Sequence, residues 1–162
     1  SGAEHHLSHF WEMHVINKPT DALHGEQVGV AALMLTRYYH AMRDYDFMRP
    51  VNLAATFDRS YLEPVYGDLT DGILRENLTD GEVSSSPLAF VPDAEKAEKV
   101  RAEIDSLISP EALERLLRLG GAPTTLSELG LPDDEEFIKR TLGFAPYVRK
   151  RLTLLKVLSA KR

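Results

Sequence analysis

Apolar positions recur along most of the chain at the three- and four-residue steps of an amphipathic helix, and no long segment alternates with the period of a strand. A first helix is expected from about Ala3 to Val15, with Leu7, Phe10, Trp11 and His14 on one stripe. Asn17, Lys18 and Pro19 end it. A second, longer helix is expected from His24 to about Arg43, its buried face marked by Val28, Ala31, Ala32, Leu35, Tyr38 and Tyr39. Gly25 and Gly29 keep that helix slim, so that another element can pack close. In the middle, Pro50, Pro64, Gly67, Gly72 and Gly81 divide the chain into short pieces. One of these reads as a short helix over Leu69 to Leu78, and Ser84 to Pro87 as a loop. The second half carries clear helix starts: Asp93 ahead of a charged helix to about Leu107, Ser109 before Pro110, Thr125 paired with Glu128, and Asp133 with Glu136. Gly120, Gly130 and Gly143 mark helix ends, and a last helix is expected from about Tyr147 onward. The pattern gives an all-α fold, an irregular multi-helix bundle, with residues 1–162 as one helical domain.

Composition narrows the class. A chain of 162 residues, 43% apolar and 27% charged, is long enough to bury a core. Its longest apolar stretch, Val28 to Leu35, falls well short of the roughly 20 residues of a membrane span, so no membrane partner is expected. The first residues lack the basic-then-apolar pattern of a secretory leader. There is no cysteine, which fits a cytoplasmic protein and leaves only His, Asp and Glu to hold a metal. The net charge of −6 argues against a nucleic-acid partner. The local exception is Arg149, Lys150, Arg151, Lys156, Lys161 and Arg162, which read as a solvated helix face near a helix C-terminus.

The candidate chemistry lies at the other end. Five of the six histidines, His5, His6, His9, His14 and His24, fall within the first 24 residues. His5 and His9 are one helical turn apart and share a face, and His24 opens the next helix beside Gly25 and Glu26. A helix, a short turn and an antiparallel helix can bring such residues together, and imidazole suits zinc, iron or nickel. The same spacing also arises on ordinary helix surfaces. An expression tag is a poor explanation, because Leu7, Ser8, Phe10 and Trp11 are interleaved with the histidines.

The stretch Ser1-Gly2-Ala3-Glu4-His5-His6-Leu7-Ser8-His9, followed by Leu23-His24-Gly25-Glu26-Gln27-Val28-Gly29-Val30, resembles the metal-binding region of the sn-glycerol-1-phosphate dehydrogenase family. That family sits in a superfamily with glycerol dehydrogenase, iron-containing alcohol dehydrogenase and 3-dehydroquinate synthase. Gly120-Gly121-Ala122-Pro123, Leu129-Gly130 and Arg151-Leu152-Thr153-Leu154-Leu155 are also similar to its later parts. The resemblance implies the C-terminal helical domain of such an enzyme, with His5 and His24 as metal ligands. It implies a further carboxylate ligand on a nucleotide-binding domain for which this chain carries no Gly-rich dinucleotide fingerprint. On this view the chain is a piece left by truncation or proteolysis, or a naturally separate half.

The resemblance implies further roles. His9, one turn from His5, is expected to hydrogen-bond substrate or relay a proton; the alternative is a helix-packing histidine. Glu26 is expected either to hydrogen-bond behind a metal ligand or to favour the positive end of its helix, and Glu4 carries the same ambiguity. His6, His14 and His40 read as structural or solvent-facing. The intact enzyme would reduce dihydroxyacetone phosphate with NADH or NADPH and a divalent metal, zinc first, then nickel or iron. A phosphorylated ketone or alcohol needs a basic pocket, to which Arg149, Lys150 or Arg151 could contribute, although no motif assigns them. Homo-oligomerisation is compatible with this reading. Two rivals stand beside it: a 3-dehydroquinate synthase-like lyase, and a non-enzymatic helical module that binds a partner. The sequence Ser1-Gly2-Ala3-Glu4-His5 leans toward the glycerol-phosphate branch over the lyase.

Overall fold

The computed structural model describes residues 2–49, 58–79, 82–83 and 93–160. Eight α-helices run through these residues: α1 Ala3–Trp11, α2 His24–Ala41, α3 Arg59–Tyr66, α4 Thr70–Asn77, α5 Ala94–Ser106, α6 Pro110–Leu119, α7 Glu135–Phe144 and α8 Leu154–Ser159. One-turn 3-10 helices occupy Gly67–Leu69, Ser127–Leu129 and Ala145–Val148. The extended structure is a pair of two-residue strands, β1 Leu78–Thr79 and β2 Glu82–Val83, antiparallel with Leu78 opposite Val83. This is a hairpin stub and not a central sheet, and the protein is all-α as its periodicity indicated.

Most helix starts lie where their capping residues place them. The side chains of Asp93 and Ser109 accept from the backbone N–H of Lys96 and Ala112, and Pro110 takes the first helical position. Glu128 and Thr125 form the reciprocal pair of a capping box, yet only a single 3-10 turn follows, ended by Gly130 at φ 75°. The cap of α7 is Asp134, one residue beyond the expected Asp133, and its carboxylate accepts from Phe137 N–H. Gly143 lies buried inside α7 rather than after it.

Other boundaries move further. Helix α1 stops at Trp11, four residues early, because residues 12–17 tighten into short turns closed by hydrogen bonds to the Phe10 and Met13 carbonyls. Helix α2 buries Ala31 and Leu35 as expected, but Gln27, Val30, Leu33 and Thr36 complete its inner face, while Val28, Ala32, Tyr38 and Tyr39 are only partly covered. Helix α3 was hidden in the sequence by Pro64, which sits inside it. A lone proline removes one hydrogen bond, and burial of Leu62 and Tyr66 holds the turn together. The last helix begins at Leu154, with Thr153 as its cap, and not at Tyr147. The loop assigned to Ser84 to Pro87 lies outside the described residues.

The chain divides into two compact units. The first takes the described residues of Ser1–Pro19, Val51–Val91 and Asp134–Arg162. In it, α1 packs on the 3-10 turn Ala145–Val148 and on α7, around Leu7, Phe10, Trp11, Tyr66, Tyr147 and Leu155. Trp11 donates its indole N–H to Thr141 at 3.1 Å, and Tyr66 donates its hydroxyl to the Phe144 carbonyl. The second unit takes Thr20–Pro50 and Pro92–Asp133. There α2 packs on α5 and α6, with Val30, Leu33, Phe47, Ile104, Leu126 and Leu129 inside. A Cβ added at Gly29 would only reach ordinary van der Waals contact with Leu117, and one at Gly25 would face open space, so neither glycine is required by close packing. Arg43 pins Asp105 of α5 with two hydrogen bonds at 2.6 and 2.9 Å.

Candidate functional site

Helix α1 places the site. Leu7, Phe10 and Trp11 point into the core, which turns the His5–His9 face outward. Both imidazoles line one open cleft of about 720 Å³, wholly within the first unit. His5 is exposed, its Nδ1 3.4 Å from Glu4 Oε1. His9 is half-buried, its Nδ1 3.2 Å from Glu12 Oε2 one turn along. Glu12 was not singled out in the sequence, although its place three residues after His9 on a helix is the spacing at which side chains meet. His24 is exposed at the first position of α2, in the second unit. Glu26 accepts from Leu23 N–H at 2.8 Å and so caps that helix. His14 pairs with Asp68, and His40 lies 3.3 Å from the Ile108 carbonyl.

The cleft also takes in the three basic residues that the sequence offered for a phosphate pocket without a motif to assign them, and it sets them opposite the histidines. Its opposite wall is the non-helical segment Arg149, Lys150, Arg151 and Leu152, and Glu76 of α4 also reaches it. The basic cluster is therefore not a solvated helix face: Arg149 to Arg151 lie between helices, and Lys156 is fully buried. Lys161 and Arg162 lie outside the described residues. Gly2 joins the two walls. It adopts φ 112°, a conformation that disfavours any side chain, and a Cβ there would stand 2.9 Å from the Arg151 guanidinium.

Charge within the cleft is tuned by neighbours. Burial pushes the Glu4 carboxyl up, but hydrogen bonds from the Glu4 and Gly2 N–H groups and from the His5 ring outweigh it and hold Glu4 below its usual range. His6 is buried in the cleft floor, and its Nδ1 has no hydrogen-bond partner. Burial, then the nearby Lys156 and Arg151 cations, push it down to about 4, so it is neutral at physiological pH. Burial lowers the Lys156 ammonium to about 8, against the opposing pull of Glu76.

Among the described residues no group of three His, Asp or Glu converges on one point, so a complete metal centre does not lie within them. The donors on α1 and at the start of α2 are exposed imidazoles, chemically suited to part of such a centre. None of the described helices is long and apolar enough to cross a membrane.

Comparison with known proteins agrees with the resemblance. The chain is 29% identical over 161 residues to a glycerol-1-phosphate dehydrogenase [NAD(P)+] of Geobacillus stearothermophilus, covering 98% of this chain and 32% of the relative. It is 28% identical over 160 residues to that of Bacillus licheniformis, again over 98% of this chain and 28% of the relative. It is 25% identical over 163 residues to that of Bacillus subtilis, over the whole chain and 30% of the relative. The chain thus spans less than a third of the length of these curated relatives. No protein-family model and no solved structure matches it.

Proposed function

We propose that this chain is the C-terminal helical part of a metal-dependent, NAD(P)-linked dehydrogenase that reduces dihydroxyacetone phosphate to sn-glycerol 1-phosphate. The observation that carries the reading is the cleft in which His5 and His9 face Arg149, Lys150 and Arg151. It occurs in a chain whose relatives, matched over 98% or more of its length, are glycerol-1-phosphate dehydrogenases. In this proposal the chain works as one helical domain beside a nucleotide-binding domain. His5 and His24 contribute imidazoles to a divalent metal, zinc foremost, and the nucleotide-binding domain contributes the carboxylate. When bound, the metal supplies Lewis-acid polarisation of the substrate carbonyl and NAD(P)H supplies the hydride.

This chain's own residues do the rest. His9, steadied by Glu12, passes a proton to the substrate oxygen. Glu26 fixes the first turn of α2 and with it the backbone that carries His24. Lack of cysteine suits work in the reducing cytoplasm.

The test uses the full enzyme and the isolated chain together. In the full enzyme, His5→Ala and His24→Ala should abolish turnover and metal retention with circular dichroism unchanged. His9→Ala should keep the metal and lower turnover roughly 10²–10⁴-fold. The 162-residue chain alone, with zinc or nickel and NAD(P)H, should not reduce dihydroxyacetone phosphate. Wild-type turnover in the His5→Ala enzyme, or robust turnover by the isolated chain, rejects the reading.

A further inference from the structure

We infer that Arg149, Lys150 and Arg151 form an anion subsite for the phosphate monoester of the substrate, and that a buried Lys156–Asn77 pair holds this subsite in shape from behind. The inference deepens the dehydrogenase reading and rests on it for the identity of the phosphate's carrier, but not for phosphate binding itself.

Charge and shape point the same way. Three cationic side chains from consecutive residues face one cleft, against two carboxylates, Glu4 and Glu76. Glu4 is already engaged by the Gly2 N–H, 3.0 Å from each of its oxygens. No described carboxylate forms an ion pair with Arg149 or Arg151. The Arg151 guanidinium is seated over Gly2, where a side chain would displace it. In the floor beneath lies His6, 4% exposed, with a ring nitrogen that lacks a partner in the protein. The planar guanidinium forks of such a wall match the tetrahedral array of acceptor oxygens on a phosphate.

The backing is what separates this segment from an ordinary surface run of cations. Lys156 is completely buried, a state rare for lysine unless its ammonium is satisfied. Its Nζ donates to the Arg149 carbonyl at 3.1 Å and to Asn77 Oδ1 at 2.7 Å. Asn77, also fully buried, donates its amide to the Tyr147 carbonyl at 2.7 Å and to Ile73 at 2.9 Å. Two buried side chains therefore grip the backbone on both sides of Val148, where the 3-10 turn gives way to the extended Arg149. An apolar side chain would fill the same space without burying a charge. What it could not do is fix these two carbonyls, and hence the start of the cationic segment. Lys156 and Asn77 are accordingly positioning residues.

The experiment titrates the 162-residue chain with inorganic phosphate at constant ionic strength, followed at the backbone amides of 149–152 by NMR. Hydrogen exchange at the same amides is measured without ligand. Saturable shifts are expected, weakened about tenfold or more by Arg149→Ala and by Arg151→Ala. Glycerol 1-phosphate should compete at these amides, whereas NADPH should not. Lys156→Met should weaken phosphate binding to a similar degree and speed exchange at 149–152, with Tm little changed; Lys156→Arg should restore part of the affinity. Should Lys156→Met not fold, the isosteric Asn77→Asp variant removes the grip on Tyr147 and must show the same loss. Absence of saturable binding, or binding indifferent to both arginine substitutions, overturns the subsite while leaving the metal and turnover tests of the dehydrogenase reading untouched. Competition by NADPH in place of glycerol 1-phosphate overturns its assignment to substrate. Wild-type affinity and exchange in Lys156→Met, or in the folded Asn77→Asp variant, overturns the positioning role.

Discussion

At the scale of single residues, the most consequential group is the Lys156 amine. Burial lowers it from the usual 10.5 to about 8. Between those values the unfolded chain keeps a proton that the folded chain has shed, so this group makes stability rise with pH across that window. Below pH 8 the ammonium is charged in both states and its burial counts fully against the fold. Urea unfolding of the first unit at pH 7.5 and 9.5 should show wild type gaining stability relative to Lys156→Met at the higher pH. Equal pH slopes for the two proteins would mean that the amine titrates normally. Glu128 behaves in the opposite sense. Hydrogen bonds from Thr124 N–H and the Thr125 hydroxyl bring its carboxyl down to about 2, so its contribution is present above the usual 4.5 and is lost as pH falls toward 2.

At the scale of elements, capping decides where helices begin, and it can be tested at one disputed boundary. The sequence pointed to Asp133 as the cap of α7, but the carboxylate that meets Phe137 N–H at 2.9 Å is that of its neighbour Asp134. Asp134→Ala should cost about 1 kcal/mol, while Asp133→Ala should cost little. Equal losses in thermal unfolding would contradict this placement. The same logic shows what was legible in the chain. Caps are local chemistry, so Asp93, Ser109 and Thr125 could be read without tertiary information. Helix α3 could not, because its proline outweighed a buried Leu62 and Tyr66 that only tertiary packing reveals. The shared face of His5 and His9 followed from helical periodicity. Their cationic counterpart did not, since Arg149 to Arg151 are about 140 residues away and reach the cleft only through the packing of α1 on the turn before them. Lys156 misled for a related reason: three exposed cations just before it suggested that it too faced water.

At the scale of the molecule, the two units are assembled from interleaved segments, so each depends on contacts between distant parts of the chain. The proposed metal ligands are divided between them, with His5 in one and His24 in the other. Trp11 adds an asymmetry of a different kind. It is the chain's one tryptophan, 2% exposed and hydrogen-bonded to Thr141, and it belongs to the first unit. The protein therefore carries a built-in optical label on one unit alone. Tryptophan emission should start at the short wavelengths of a dry indole and shift red as the first unit opens, whereas far-ultraviolet circular dichroism sums the helices of both. Superimposable curves would mean that the two units melt as one cooperative body, and separated curves would give each its own midpoint. Trp11→Phe should erase the optical signal while most of the circular dichroism remains.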